Sequence, residues 1–168
     1  MKIEILVGNV LDVPADVLIS TANPWLQMTG GVNLAIIVRP KGELVHAELQ
    51  QFLRQRLARF VDPGTVVCTG PGPLAVKHIL HAVVIDRSYD SSVQLVASTL
   101  VRALGRAREL GARVVSTPAL ATGFGPLSME EFAMALKQAT EQDCSPLETL
   151  KVVLKSEEAA ETVRRVLG

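Results

Sequence analysis

Residues 16–33, DVLISTANPWLQMTGGVN, constrain the fold more than any other stretch of the chain. Val17-Leu18-Ile19 is a short apolar run with turn-prone residues on both sides, which reads as a buried central strand. Small residues follow, Ser20-Thr21-Ala22, then the amide Asn23, a Pro24-Trp25 break and Gly30-Gly31. A strand that runs into an amide and a double glycine is either an ordinary strand-to-helix connection or a ligand loop. Glycines let backbone N–H groups approach a ligand closely, and the start of a helix adds unpaired donors for an anion. The stretch alone does not choose between the two.

Around this strand the pattern alternates. Residues 2–7 (KIEILV) form a first strand, broken by Gly8-Asn9-Val10. The stretch VNLAIIV fits helix or strand by pattern. The glycine pair before it and Pro40 and Gly42 after it favour a helix. Across residues 43–60 Leu44, Leu49, Phe52, Leu53 and Leu57 recur at helical spacing, with Arg54, Arg56 and Arg59 on the other face, so an amphipathic helix is predicted. Strands are predicted over 65–69 and 78–86, and a long helix over 92–110 that stops at Gly111. A strand over 113–117 leads into a second glycine loop, Ala121-Thr122-Gly123-Phe124-Gly125. Ser128 is a candidate N-cap, with Glu130 and Glu131 in the first turn of a helix to about Gln142. A strand over 147–154 and a helix over 157–167 complete the chain. Helices alternating with apolar strands make this an α/β layered domain with a largely buried sheet.

With 168 residues a single domain spanning 1–168 is expected, large enough for a substantial core. Apolar residues make up 48% of the chain and charged ones 20%, which places it far from the disordered class. The formal net charge of zero lacks the basic footprint of a nucleic-acid binder. No apolar run approaches the roughly 18 residues of a membrane span. The alternating start MKIEILVGNV has no signal-peptide pattern, so a cytoplasmic protein is expected. Cys68 and Cys144 fit neither a disulfide framework nor a metal site. His46, His78 and His81 lack the neighbours of a zinc site, so no metal is expected.

In open α/β sheets ligands sit outside the carboxyl ends of the strands. Two such ends carry glycine loops, residues 23–32 and 121–125. Neither contains lysine or arginine. Two loops with free N–H groups can grip a diphosphate from opposite sides without a basic residue. Gly70-Pro71-Gly72-Pro73-Leu74-Ala75 matches a dinucleotide-binding G-x-G-x-x-A, but a strand rather than a helix is predicted to follow it, so that reading is set aside. Ser20 and Ser116 lack a G-x-S-x-G elbow, which argues against a serine hydrolase. Trp25 beside Pro24 reads as packing for its loop.

Taken in order, these residues resemble the macro domain family over nearly the whole chain. Gly8-Asn9-Val10 resembles the family's G-D-I. The octet Asp16-Val17-Leu18-Ile19-Ser20-Thr21-Ala22-Asn23 resembles D-A-I-V-N-A-A-N, and Gly30-Gly31-Val32 resembles G-G-V. Lys77-His78-Ile79-Leu80-His81-Ala82-Val83 resembles K-Y-V-I-H-T-V. Pro118-Ala119-Leu120-Ala121-Thr122-Gly123 resembles the P-A-L-S-T-G of the second loop. The resemblance implies a three-layer α/β/α sandwich around a mixed, largely parallel, six-stranded sheet. It also implies binding of ADP-ribose or a related nucleoside diphosphate derivative, with no cofactor required. Asn9 and Val10 would meet the adenine end. Gly30, Gly31 and Val32 would hold one side of the diphosphate, and Ala121, Thr122, Gly123 and Gly125 the other. Asn23, with Ala22 beside it, would approach the distal ribose, and Phe124 would pack against that ribose.

The sequence departs from the family pattern at five places. Asn9 stands for an aspartate that accepts from the adenine amino group, and Ser20 for the first asparagine of N-A-A-N. Asn33 stands where hydrolytic members carry an aspartate after G-G-V. The second loop is one residue short, and Leu154-Lys155 occupy the neighbourhood of an adenine-stacking aromatic. Binding without fast turnover is the first expectation. The alternatives are a hydrolase of ADP-ribosyl or ADP-ribose-phosphate groups, with Asn23 as its catalytic residue, and a degenerate module acting in assembly. The partners expected are the small ligand itself or an ADP-ribosylated protein, with a homo-oligomer open.

Overall fold

The computed structural model describes residues 1–168. Its sheet is organised at Asp16, directly before strand β2 (Val17–Ala22). One carboxylate oxygen of Asp16 accepts from the N–H groups of Arg113 and Val114 at 3.0 and 2.9 Å, at the start of β5 (Val114–Thr117). The Asp16 carbonyl accepts from the Lys77 N–H at 2.8 Å, immediately before β4 (His78–Val83). Lys77 Nζ lies 3.3 Å from the other carboxylate oxygen. The Val114 and Arg113 N–H groups, more than Lys77, hold this carboxyl below the usual carboxylate range. One residue, through its carboxylate and its carbonyl, thus joins the starts of three strands.

Two further parallel strands, β1 (Lys2–Val7) and β6 (Thr149–Leu154), extend the sheet on one side. Beside β4, β3 (Val66–Thr69) closes the other side as its antiparallel neighbour. The strand order is β1-β6-β5-β2-β4-β3, so the carboxyl ends of five strands share one edge.

Alternation along β2 sends Val17 and Ile19 to one face and Leu18 to the other. The first face is covered by α3 (Val93–Glu109), α4 (Met129–Thr140) and α5 (Glu157–Leu167), through Leu100, Leu104, Phe132, Leu136 and Val163. The second face is covered by α1 (Gly31–Ile37) and α2 (Gly42–Gln55), through Ile36, Val45, Leu49 and Leu53. This is the expected α/β/α sandwich with a mixed, largely parallel sheet. Serine side chains start the three helices of the first face: Ser92 accepts from Leu95 N–H, Ser128 from Glu131 and Ser156 from Ala159. At Ser128 the Glu131 side chain returns a bond to the cap N–H, completing a capping box. No helix is long and apolar enough to cross a membrane.

Two boundaries and one short element differ clearly from the sequence reading. The second helix ends at Gln55, not near residue 60, because Leu57 turns to φ +51° and both its N–H and that of Ala58 fold back on the last turn. Leu57, read as part of the apolar stripe, is 97% exposed, and the buried stripe is Val45, Leu49 and Leu53. Strand β4 stops at Val83, where a turn built on Asp86 begins. A short 3-10 helix, Val10–Asp12, follows β1, capped by the Asn9 side chain, which accepts from Leu11 N–H at 3.0 Å.

Candidate functional site

The carboxyl edge of the sheet opens into a cleft of about 1410 Å³. It crosses the ends of β6, β5, β2 and β4, with the loop after β1 at one extremity and the loop after β4 at the other. All twelve residues singled out in the sequence line it: Asn9, Val10, Ala22, Asn23, Gly30, Gly31, Val32, Ala121, Thr122, Gly123, Phe124 and Gly125.

The first loop is held open from within. Asn23 donates through Nδ2 to the Gln27 carbonyl at 2.8 Å and accepts from the Gln27 N–H at 3.1 Å, so its amide braces the turn that follows β2. His46 on α2 fixes the Gln27 side chain at 3.0 Å. Gly31 opens α1 at φ +58°, a left-handed conformation that glycine adopts without a Cβ penalty. The N–H groups of Gly31, Val32 and Asn33, in the first turn of α1, find no acceptor within the chain.

The second loop is tightly closed. Ala121 adopts φ +61°, and a Cβ at Gly125 would lie 2.5 Å from the Ala121 carbonyl oxygen, so only glycine fits there. Thr122 Oγ1 donates to the Ala119 carbonyl at 3.0 Å. The N–H groups of Thr122, Gly123, Phe124 and Gly125 likewise have no acceptor in the chain. Phe124 is 72% exposed, and its ring reaches across to the first loop: a Cβ on Gly30 would sit 2.2 Å from Phe124 Cε2. The aromatic ring therefore lies directly on Gly30 and joins the two loops.

Beneath the loops, two of the departures from the family pattern touch one another. Ser20 Oγ donates to Asn33 Oδ1 at 2.8 Å, and both side chains are buried. At the β1 end, Asn9 Oδ1 already accepts from Leu11, which leaves its Nδ2 as a donor and one lone pair free. Leu154 and Lys155 form the wall beside it.

The cleft is lined by no aspartate, glutamate, histidine or cysteine, and Lys155 is its one basic residue. The three histidines are dispersed: His46 holds Gln27, His78 lies 3.8 Å from Cys68 Sγ, and His81 is fully buried with Nε2 3.0 Å from Thr69 Oγ1. Burial pushes the His81 imidazole down to about 3. Both cysteines are free, and burial raises each thiol. The loop 70–77, with its dinucleotide-like spacing, lies between β3 and β4 at the amino ends of the parallel strands, opposite the cleft.

Sequence reading did not find Ile85 and Tyr89, after β4, as cleft residues. The rule of loops at strand carboxyl ends applies to β4 as well. The absence of glycine there hid it.

The macro domain model matches residues 19–136. A macro domain-containing protein of Streptomyces nogalater is 31% identical over 167 residues, covering 99% of this chain and 92% of that one. Among solved structures, a variant of the Oceanobacillus iheyensis macrodomain with ADPR superposes at a TM-score of 0.85 with 25% identity, covering 98% of this chain and 91% of that one. The same macrodomain with ADP gives 0.84 and 26%, covering 98% and 89%. A matching family model over most of the chain, a relative of nearly full coverage and a shared fold agree: this chain belongs to the macro domain family.

Proposed function

We propose that the cleft binds ADP-ribose or a closely related nucleoside diphosphate derivative, and that it holds the diphosphate by backbone N–H groups of its two glycine loops. The observation that carries this reading is the pair of unsatisfied donor sets, residues 31–33 and 122–125, on opposite loops of one cleft. Backbone amides bind phosphate oxygens without a cationic side chain, which suits loops that have none. The Oceanobacillus iheyensis macrodomain structures with ADPR and ADP support the same ligand class. Asn9 lies at the end of the cleft where the family resemblance puts the adenine, and Asn23 at the turn beside the distal ribose.

Binding rather than rapid hydrolysis fits the lining. A water molecule attacking an acetal or phosphate needs a base within reach, and the cleft offers no carboxylate, imidazole or thiol. Asn33 presents an amide where hydrolytic relatives carry aspartate, and its oxygen is engaged by Ser20. Asn23, the residue a hydrolase would use to orient substrate, has both ends of its amide bonded to Gln27.

Calorimetric titration with ADP-ribose, with ADP and AMP as controls, tests this. The expected result is micromolar binding of ADP-ribose, about −8 kcal/mol, with weaker controls. No heat and no thermal shift with any of the three would reject the assignment and leave a module that acts in assembly.

A further inference from the structure

We propose that Tyr89, braced by Trp25, is a specificity-determining residue at the far end of the cleft. It forms an aromatic wall for a planar cationic group carried on the distal ribose of the ligand. This rests on the reading of the cleft as an ADP-ribose site.

The strand order fixes the position. Asn9 and Lys155 stand at the β1 and β6 end, and Ile85 and Tyr89 at the β4 end. A ligand with its adenine at Asn9 and its diphosphate between the glycine loops passes Asn23 before it reaches Tyr89. Whatever the distal ribose carries therefore meets this ring.

The ring is held in place. Asp86 Oδ1 accepts from the N–H groups of Ser88 and Asp90 at 2.8 and 3.0 Å, and the Tyr89 N–H donates to the Asp86 carbonyl at 3.0 Å. Tyr89 itself sits at φ +63°, a left-handed conformation costly for a residue with a Cβ. The Trp25 ring packs against it, centroids 5.9 Å apart and planes tilted by 41°. Trp25 thus packs the loop, as its sequence context implies, and does so against the one tyrosine of the chain.

The chemistry follows from what surrounds the ring. An aromatic face attracts a cation, more strongly where the cation is flat and can stack. No lysine or arginine at this end competes for the face: Lys155 is at the opposite extremity, and the Arg87 guanidinium lies over the Phe60 ring at 4.1 Å. Two compounds carry a planar cation on the distal ribose of ADP-ribose, a nicotinamide dinucleotide through its pyridinium and an ADP-ribosylated arginine through its guanidinium.

The test compares affinities by calorimetry for ADP-ribose, NAD, ADP-ribosylated arginine and AMP, on wild type, Tyr89→Phe and Tyr89→Ala. Expected is at least fivefold tighter binding by wild type of one or both cationic ligands than of ADP-ribose. Tyr89→Phe keeps that ratio, and Tyr89→Ala brings it to about one. A preference for NAD alone assigns the pyridinium as the group recognised; a preference for the arginine conjugate alone assigns the guanidinium. A wild-type ratio of one or below overturns the proposal, as does a ratio unchanged in Tyr89→Ala. A parallel loss of all four ligands, AMP included, also overturns it, because the ring then holds adenine. Wild type that fails to bind ADP-ribose at all rejects the reading of the cleft, and this proposal with it.

Discussion

Gly30 shows how one missing Cβ shapes the cleft. Its backbone is extended, so substitution brings no conformational strain. What opposes it is the Phe124 ring, 2.2 Å from where a Cβ would be. Gly30→Ala should therefore displace Phe124 and weaken ADP-ribose binding at least tenfold in a titration, with less than about 1 kcal/mol lost in stability. In a Phe124→Ala background the same change should cost little, and an undiminished penalty there would show that the two loops do not interact through this ring. Ser20 and Asn33 make the converse point. Each is a departure from the family pattern in its own motif, and nothing in the sequence joins positions 13 residues apart. The fold does, through a buried hydrogen bond of 2.8 Å. Ser20→Ala should leave Asn33 Oδ1 buried without its donor and cost about 1–3 kcal/mol in urea unfolding. An unchanged midpoint would mean that the bond contributes nothing.

Strands and helices that carry a clean apolar period were legible in the sequence, and Asp16 explains why their assembly is so definite. Its carboxylate closes the starts of β2 and β5 with two charged hydrogen bonds. Asp16→Ala should destabilise the protein by roughly 2 kcal/mol near neutral pH. Because the folded carboxyl titrates below its ordinary range, its contribution is complete above the unfolded carboxylate pKa and fades as pH falls through the lower folded value. The difference between wild type and Asp16→Ala should shrink below about pH 4. Where sequence reading missed, the cause was tertiary. Leu57 continues the helical spacing of α2, yet the chain turns at φ +51° so that β3 can follow, and the leucine is left in solvent. Tyr89 enters the cleft only because β4 lies next to β2, and strand order is not written in any local pattern. The glycine loops were legible because their residues follow their strands directly.

At the scale of the whole molecule, the group most informative about pH is one that never meets solvent. His81 points from β4 into the layer beneath α1 and α2, with Nε2 against Thr69 Oγ1 and Nδ1 without a partner. The Thr69 hydroxyl donates to the Gly70 carbonyl, so it accepts from His81, and the ring is neutral with its proton on Nε2. Burial pushes its pKa from the usual 6.5 down to about 3. The unfolded chain can take up this proton below pH 6.5 and the folded chain cannot, so stability is complete above that value and falls as the solution is acidified. The loss approaches 1.4 kcal/mol per pH unit toward pH 4.5, a large share of a typical domain's roughly 5–15 kcal/mol. The lowered Asp16 carboxyl acts mainly below about pH 4, which separates most of the two effects. His81→Leu removes the titration while keeping an apolar side chain in the layer, and Thr69 retains its bond to Gly70. Its unfolding free energy, followed by urea denaturation between pH 7 and 4.5, should therefore be nearly flat where that of wild type declines. A wild-type slope that survives the substitution would place the proton uptake on another group, with His46 and His78 as the remaining imidazoles to replace.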